Sequence, residues 1–353
     1  MPAIEPKNDE SVKDCTSRSQ SPISKSAPPA TSANFSHESF SLTPLEDEFV
    51  NLDHTEHLVH LVADGFDLLG NATVPSPTAF FTYAVRRGLQ CPYLLCQMLA
   101  LSARHSSSTR SSQSDRYYSQ ALALQTRALS LFNEAIVTLD ESNCVDVMIF
   151  ATMLGHHLLT DTLAVGASRL GDLNVVVEAF TSGLCTHRGA YSIGMFLRPT
   201  LINSDGVEFK QTCAQGASFL SSEPRGKQCQ LLYDLCNRNT RLTSGEKDSL
   251  YLMIRYLQIG IDALSCDETK DRHQMIYSWP MLAPEHFTTM MDDKRPEALV
   301  LLGWYAALLH HGRSMWQVGE AGASILDLTS AYLGDSWSFE LKYPRDVING
   351  RSE

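Results

Sequence analysis

Residues 296–312, PEALVLLGWYAALLHHG, carry no charged side chain from Ala298 to Leu309 and close on two adjacent histidines. A helix that is apolar on every side belongs either in a bilayer or in the interior of a sizeable protein. Length separates the two. Pro296 suits the first helical position, where the amide it lacks would be unpaired anyway, and Glu297 favours the positive helix end. His310, His311 and Gly312 read as a C-terminus, with the glycine free to take the left-handed conformation. About 16 residues at 1.5 Å each give roughly 24 Å, short of a hydrocarbon core of about 30 Å. No other apolar run reads as longer. The expectation is a buried central helix and no membrane span.

Burying such a helix needs a large body around it. The 353 residues, 43% hydrophobic and 8% aromatic, are ordinary for a globular chain able to build one. The net charge of −12 is opposite to what phosphate contacts require, and no segment is locally basic, so direct DNA binding is not expected. Nine cysteines include no CxxC pair, and the opening MPAIEPKNDESVKD has no hydrophobic signal core. Reduced thiols in the nucleus or cytoplasm are expected.

Residues 1–44 are rich in Ser, Pro, Thr and Ala; they bury too little apolar surface to offset their conformational entropy and are expected to be disordered. From 45 to 353 the pattern is helical. DHTEHLVHLVADGFDLL places Leu58, Leu61, Val62, Phe66 and Leu69 on one face, with Asp53 as N-cap. CPYLLCQMLALSARH starts on Pro92, and the serines of SSSTRSSQS read as a loop. DRYYSQALALQTRALSLFNEAIVTL sustains a 3.6-residue period. ESNCVDVMIFATMLGHHLL starts from Asn143. Residues 172–196, 228–240 and 244–264 read as helix, and about 197–227 as an irregular excursion. NVVVEAF, the one β-branched run, fits a helix as well as a strand. The fold class is therefore all-α, an irregular multi-helix body behind a disordered tail. The 117–136 stretch also resembles a tetratricopeptide unit, but no second copy recurs at a fixed period, which a solenoid requires.

Motifs for catalysis are sparse. His54, His57 and His60 follow an i, i+3, i+6 spacing whose ends diverge by about 120° on a helix, so they read as the solvated side of the first helix. The adjacent pairs His156-His157 and His310-His311 point to different sides of their helices. AYSIG at 190–194 varies the GxSxG theme without a preceding strand. There is no GxGxxG, P-loop, HExxH or EF-hand loop. No catalytic set, cofactor or metal site is expected.

The order of the segments is more informative than any one of them. TEHLVHLVADGF, CPYLLCQMLALSARHSS, the long YY..AL..Q..AL..F, ESNCVDVMIFATMLGHHLL and the closing YSWPMLAPEHFTTMMDDKRPEALVLLGWYAALLHHG…LG resemble the C-terminal regulatory domains of fungal zinc-cluster transcription factors. The sterol-uptake regulators are the most similar subgroup. The likeness covers roughly residues 53–348, with Tyr343-Pro344 where Trp-Pro is the family pattern. It implies an all-helical domain in the nucleus, working with a protein partner or as a homodimer, around a pocket for a hydrophobic small molecule such as a sterol. Leu302, Tyr305 and Leu309 share one face of the apolar helix, with Trp316 beyond its end, and are the candidate pocket wall. His157 is the candidate polar group there, with His310 and His311 as alternates. The family's six zinc-binding cysteines have no counterpart, since only Cys15 precedes residue 90. The expectation is a regulator without a DNA reader of its own, or a truncated gene model of one. Two rivals are an enzyme or small-molecule binder reusing the same helical pocket, and a helical-repeat scaffold.

Overall fold

A computed structural model describes residues 50–64, 77–135, 142–167, 172–185, 188, 216–265 and 272–351. The tail at 1–44, Phe66, Leu69, the AYSIG stretch and most of the expected 197–227 excursion lie outside the described residues. Every regular element among those described is helical. In chain order they are α1 (Leu52–Ala63), α2 (Pro77–Gly88), α3 (Pro92–Thr109), α4 (Ser114–Ala135), α5 (Cys144–Ala167), α6 (Leu173–Cys185), α7 (Gln230–Arg238) and α8 (Ser244–Leu264). They continue with α9 (Gln274–Met281), α10 (Glu285–Asp292), α11 (Pro296–His311), α12 (Ala321–Leu333) and α13 (Lys342–Ile348). The NVVVEAF run lies in α6.

Local chemistry explains several helix starts. Pro92 and Pro296 occupy first positions. Thr243 and Glu246 form a reciprocal capping box that opens α8, each satisfying an amide that the helix start leaves free. In α1 the cap is Asn51, whose Oδ1 accepts from the His54 amide at 3.0 Å; Asp53, expected there, sits in the first turn and pairs with Arg116.

The serine-rich stretch is not the expected loop. Helix α3 runs on to Thr109, and one short turn at Ser111–Gln113 leads into α4. The hydroxyls of Ser107 and Thr109 donate to the carbonyls of Arg104 and His105 at 2.7 and 3.0 Å. Bonded back into their own helix, these polar residues do not break it. Ser114 Oγ donates across the turn to Ser107 O at 2.8 Å and ties the two helices together.

Helix α5 corrects the reading that 296–312 is the longest apolar run. Cys144–Gly166 is the described helix long and apolar enough to cross a membrane by length and composition. Most of it is buried among the other helices, and its two carboxylates are engaged. Asp146 takes two bonds from Arg87 of α2, at 2.6 and 2.9 Å, and Asp161 pairs with Arg104 of α3 at 2.6 Å. It packs as a core helix shared by two apolar clusters. Val147, Ile149 and Met153 join the cluster formed with α1–α4, whereas Leu159 and Leu163 join the larger one formed with α6–α13.

Helix α11 lies inside the larger cluster, with every residue from Glu297 to Leu309 buried. The Trp304 indole N–H donates to Glu340 O at 2.9 Å, so its burial leaves no polar atom stranded. Gly312 does not adopt the expected left-handed conformation; its φ is −91°. Its smallness answers a different need, since a Cβ there would lie 2.4 Å from Ile276 Cδ1.

Helix α1 keeps part of its expected apolar face inward, with Leu61 buried and Leu58 packed on the core, but it is rotated toward its polar side. His57, His60 and Leu61 are buried, while Val59 and Val62 face solvent. His57 Nε2 donates to Gln120 Oε1 of α4 at 3.0 Å, and Ser102 Oγ of α3 donates to the His57 carbonyl at 2.8 Å. Glu56 accepts from Arg110 and from the Tyr117 hydroxyl at 2.9 and 2.6 Å. Specific partners on α3 and α4 thus draw the polar side inward.

Candidate functional site

The apolar wall around Tyr305 is built from four helices. Tyr305 of α11 stacks on Trp279 of α9, with ring centroids 4.5 Å apart and planes 15° from parallel. Phe180 of α6 meets both rings, at 5.9 and 6.2 Å, and Phe287 of α10 closes on Trp279 at 5.5 Å. The polar tips are anchored: Trp279 Nε1 donates to Met253 O at 3.1 Å and the Tyr305 hydroxyl to Ile276 O at 2.5 Å. Burial holds the Tyr305 hydroxyl pKa well above its ordinary value, so it stays a donor.

One polar atom beside this wall is not anchored. The Tyr277 hydroxyl of α9 is buried without a hydrogen-bond partner. Its ring lies 4.2 Å from the His156 ring of α5, and burial raises its pKa, which keeps it neutral. A buried hydroxyl of this kind costs free energy until something bonds to it. It offers one donor and one acceptor site amid apolar and aromatic groups, which suits a hydroxyl-bearing apolar molecule.

The sequence-nominated residues divide between two places. Leu302, Tyr305 and Leu309 are fully buried together in the larger cluster. Trp316 packs against the other cluster and meets the His105 ring at 4.8 Å, edge to face. His157 sits among polar groups between α3 and α5. Gln97 Nε2 approaches its Nδ1 at 3.5 Å, and its Nε2 lies 3.7 Å from Asp161 Oδ2. His156, not its neighbour His157, meets the Tyr277 ring. His310 is near Arg313 and Glu320, and His311 near His273 and Arg272.

Of the α1 histidines read as solvated, His54 is exposed, but His57 and His60 are buried, and His60 belongs to a buried chain. His60 Nδ1 bonds Asp64 Oδ2 at 2.6 Å, and its Nε2 shares a hydrogen bond with His105 Nδ1 at 2.8 Å. Each inward-facing nitrogen is therefore occupied by the other ring. Among the described residues no group of three or more His, Cys, Asp or Glu side chains is arranged to hold a metal ion.

Two buried histidines make stability depend on pH. Burial pushes His157 and His105 down to about 4, with the neighbouring His60 adding to the shift at His105. Both are neutral in the fold at pH 7, whereas the unfolded chain binds their protons near pH 6.5. The unfolded state thus binds more protons below that value, so stability falls as pH drops from about 6.5 and this loss is complete near 4. His157→Gln should flatten the dependence over that window by roughly 2–3 kcal/mol. Urea unfolding of both proteins at pH 7 and pH 4.5 checks it; parallel curves would refute the assignment.

No protein-family model matches the chain, and no curated protein matches it significantly.

Proposed function

We propose that this chain is the regulatory body of a transcription regulator of the fungal zinc-cluster kind. It senses a hydrophobic, hydroxyl-bearing molecule such as a sterol. It acts in the nucleus, and these residues do not themselves grip DNA, because their net charge of −12 opposes contact with phosphate. The order of helical segments supports the reading, and all of the quoted stretches fall in or beside helices of one body.

The observation that carries the ligand reading is the unpartnered Tyr277 hydroxyl on α9, the helix that also carries Trp279 of the aromatic stack. Apolar contact with this wall would supply affinity, and the hydroxyl would orient the ligand's polar end. Removing the hydroxyl separates this reading from a purely structural one. Tyr277→Phe should raise ligand-free stability by about 1 kcal/mol, because it deletes a buried group that bonds to nothing. The same change should shrink the rise in melting temperature that a bound sterol gives the parent by mass action. The measurement is thermal unfolding of both proteins with a panel of sterols, 3-deoxy sterols and fatty acids. No shift of the parent with any of them, at concentrations well above micromolar, would overturn the ligand role.

A further inference from the structure

The hydroxyls after Arg104 divide into two kinds. Those of Ser107, Ser108 and Thr109 donate to carbonyls of their own helix, and Ser114 Oγ donates to Ser107 O. Ser111 and Ser112, in the short turn between α3 and α4, have hydroxyls with no hydrogen-bond partner among the described residues. Every residue from 108 to 113 is exposed. The hydroxyls of the turn hold nothing together, but the residues on each side of it do. Arg110 Nη1 donates to Glu56 Oε1 at 2.9 Å and to the Tyr117 hydroxyl at 3.1 Å. Arg116 Nη2 lies 2.5 Å from Asp53 Oδ1 and 3.6 Å from Glu56 Oε2, and its Nη1 donates to Gln113 Oε1 at 3.0 Å. Both guanidiniums lie over the Tyr117 ring, 5.6 and 5.4 Å from its centroid. The two cations that bracket the free serines thus hold the acidic edge of α1, and both stay partly exposed.

We propose that Ser111 and Ser112 form a phosphorylation site whose phosphate releases α1 from the α3–α4 turn. A protein kinase that reads basic residues finds Arg110 one or two positions before each hydroxyl. Opening the turn for it breaks no hydrogen bond of either hydroxyl. The serine Oγ attacks the γ-phosphorus of a nucleoside triphosphate. The Oγ–P bond forms as the bond from that phosphorus to the bridging oxygen breaks. The nucleoside diphosphate leaves with the electron pair, and the hydroxyl proton passes to the kinase's carboxylate. The product carries about −1.5 to −2 charges and three acceptor oxygens, against a single charge on Asp53 or Glu56. Arg110 is a chain neighbour and Arg116 already touches the turn through Gln113, so both lie within side-chain reach of the phosphate. The N-terminal end of α4 favours the new charge as well. Once the arginines turn to the phosphate, Asp53 and Glu56 face a dianion, and repulsion replaces their ion pairs. The inference rests on the turn and α1 and stands apart from the ligand reading.

The test uses the full chain in two arms, with no sterol present. In the first, a panel of basic-directed protein kinases is supplied with magnesium and ATP, and the modified residues are mapped by mass spectrometry. Phosphate should appear at Ser111 or Ser112. In the second, phosphoserine is built into position 112 during translation, and hydrogen–deuterium exchange is followed in peptides from α1 and α8. The amides of α1 should exchange about tenfold faster than in the unmodified chain, a coupling of ordinary size between neighbouring sites. Those of α8, remote from the turn in sequence and packed in the other apolar cluster, should keep their rates. A panel that modifies neither serine overturns the proposal. So does a protein phosphorylated at Ser112 whose α1 exchanges at the unmodified rate or more slowly, or one in which α8 loosens as much as α1.

Discussion

Leu302→Asp should leave the chain unable to fold cooperatively. Leu302 has no accessible surface and lies in the middle of α11, with buried residues before and after it for more than a turn. A carboxylate at that position meets no solvent, so it must either stay charged in an apolar interior or take up a proton and remain without a partner. Either state costs several kcal/mol. The leucine's own burial and packing are lost as well, which Leu302→Ala alone should put at about 2–5 kcal/mol. Typical domains hold only about 5–15 kcal/mol in total, so the sum is close to the whole. Circular dichroism and urea titration of both variants decide it. An aspartate variant that unfolds cooperatively within 1 kcal/mol of the alanine variant would show that α11 is not in the core.

Gly322→Ala should be a strongly damaging methyl addition. A Cβ on Gly322 would stand 2.6 Å from Ala306 O and 2.8 Å from His310 N. Both are backbone atoms of α11, so no side chain can swing aside and the two helices must move apart. Overpacking ordinarily costs about 1–3 kcal/mol, and a rigid clash of this kind belongs at or above the upper end. Gly303 of α11 is the comparison. Its added Cβ would lie 2.7 Å from Leu341 Cδ2, the tip of a side chain that can rotate, so Gly303→Ala should cost roughly 1 kcal/mol. Chemical unfolding of the pair tests the contrast. Equal stability of the two would mean that the last turns of α11 do not meet α12 as closely as the geometry requires.

Features set by a few neighbouring residues were legible in the sequence. Pro296 and the run to His311 gave the start, end and burial of α11, because a fixed φ and an uncharged stretch of that length leave little choice. Pro92 gave the start of α3, though not its end, and sustained 3.6-residue periods gave the all-helical class. Leu302, Tyr305 and Leu309 could be placed in one core from their spacing alone.

Tertiary structure alone decided which polar groups were buried, and so which way α1 faced. Hydropathy placed Leu61 inward and His54 outward, as they are, but it also turned Val62 inward and His57 and His60 outward. The reverse holds because His60 bonds His105 and His57 bonds Gln120, partners 45 and 63 residues away that no local window contains. The serines after Arg104 read as a loop for the same reason, as their place in α3 depends on being packed beside Arg104 and against Ser114. The candidate ligand group shifted too. One step along α5, a turn of 100°, gives His156 to the Tyr277 ring and His157 to Gln97 and Asp161. Spacing determines which residues share a helix face, but the direction of that face follows from its distant partners, since burial of a polar group is settled by whether it finds a hydrogen bond.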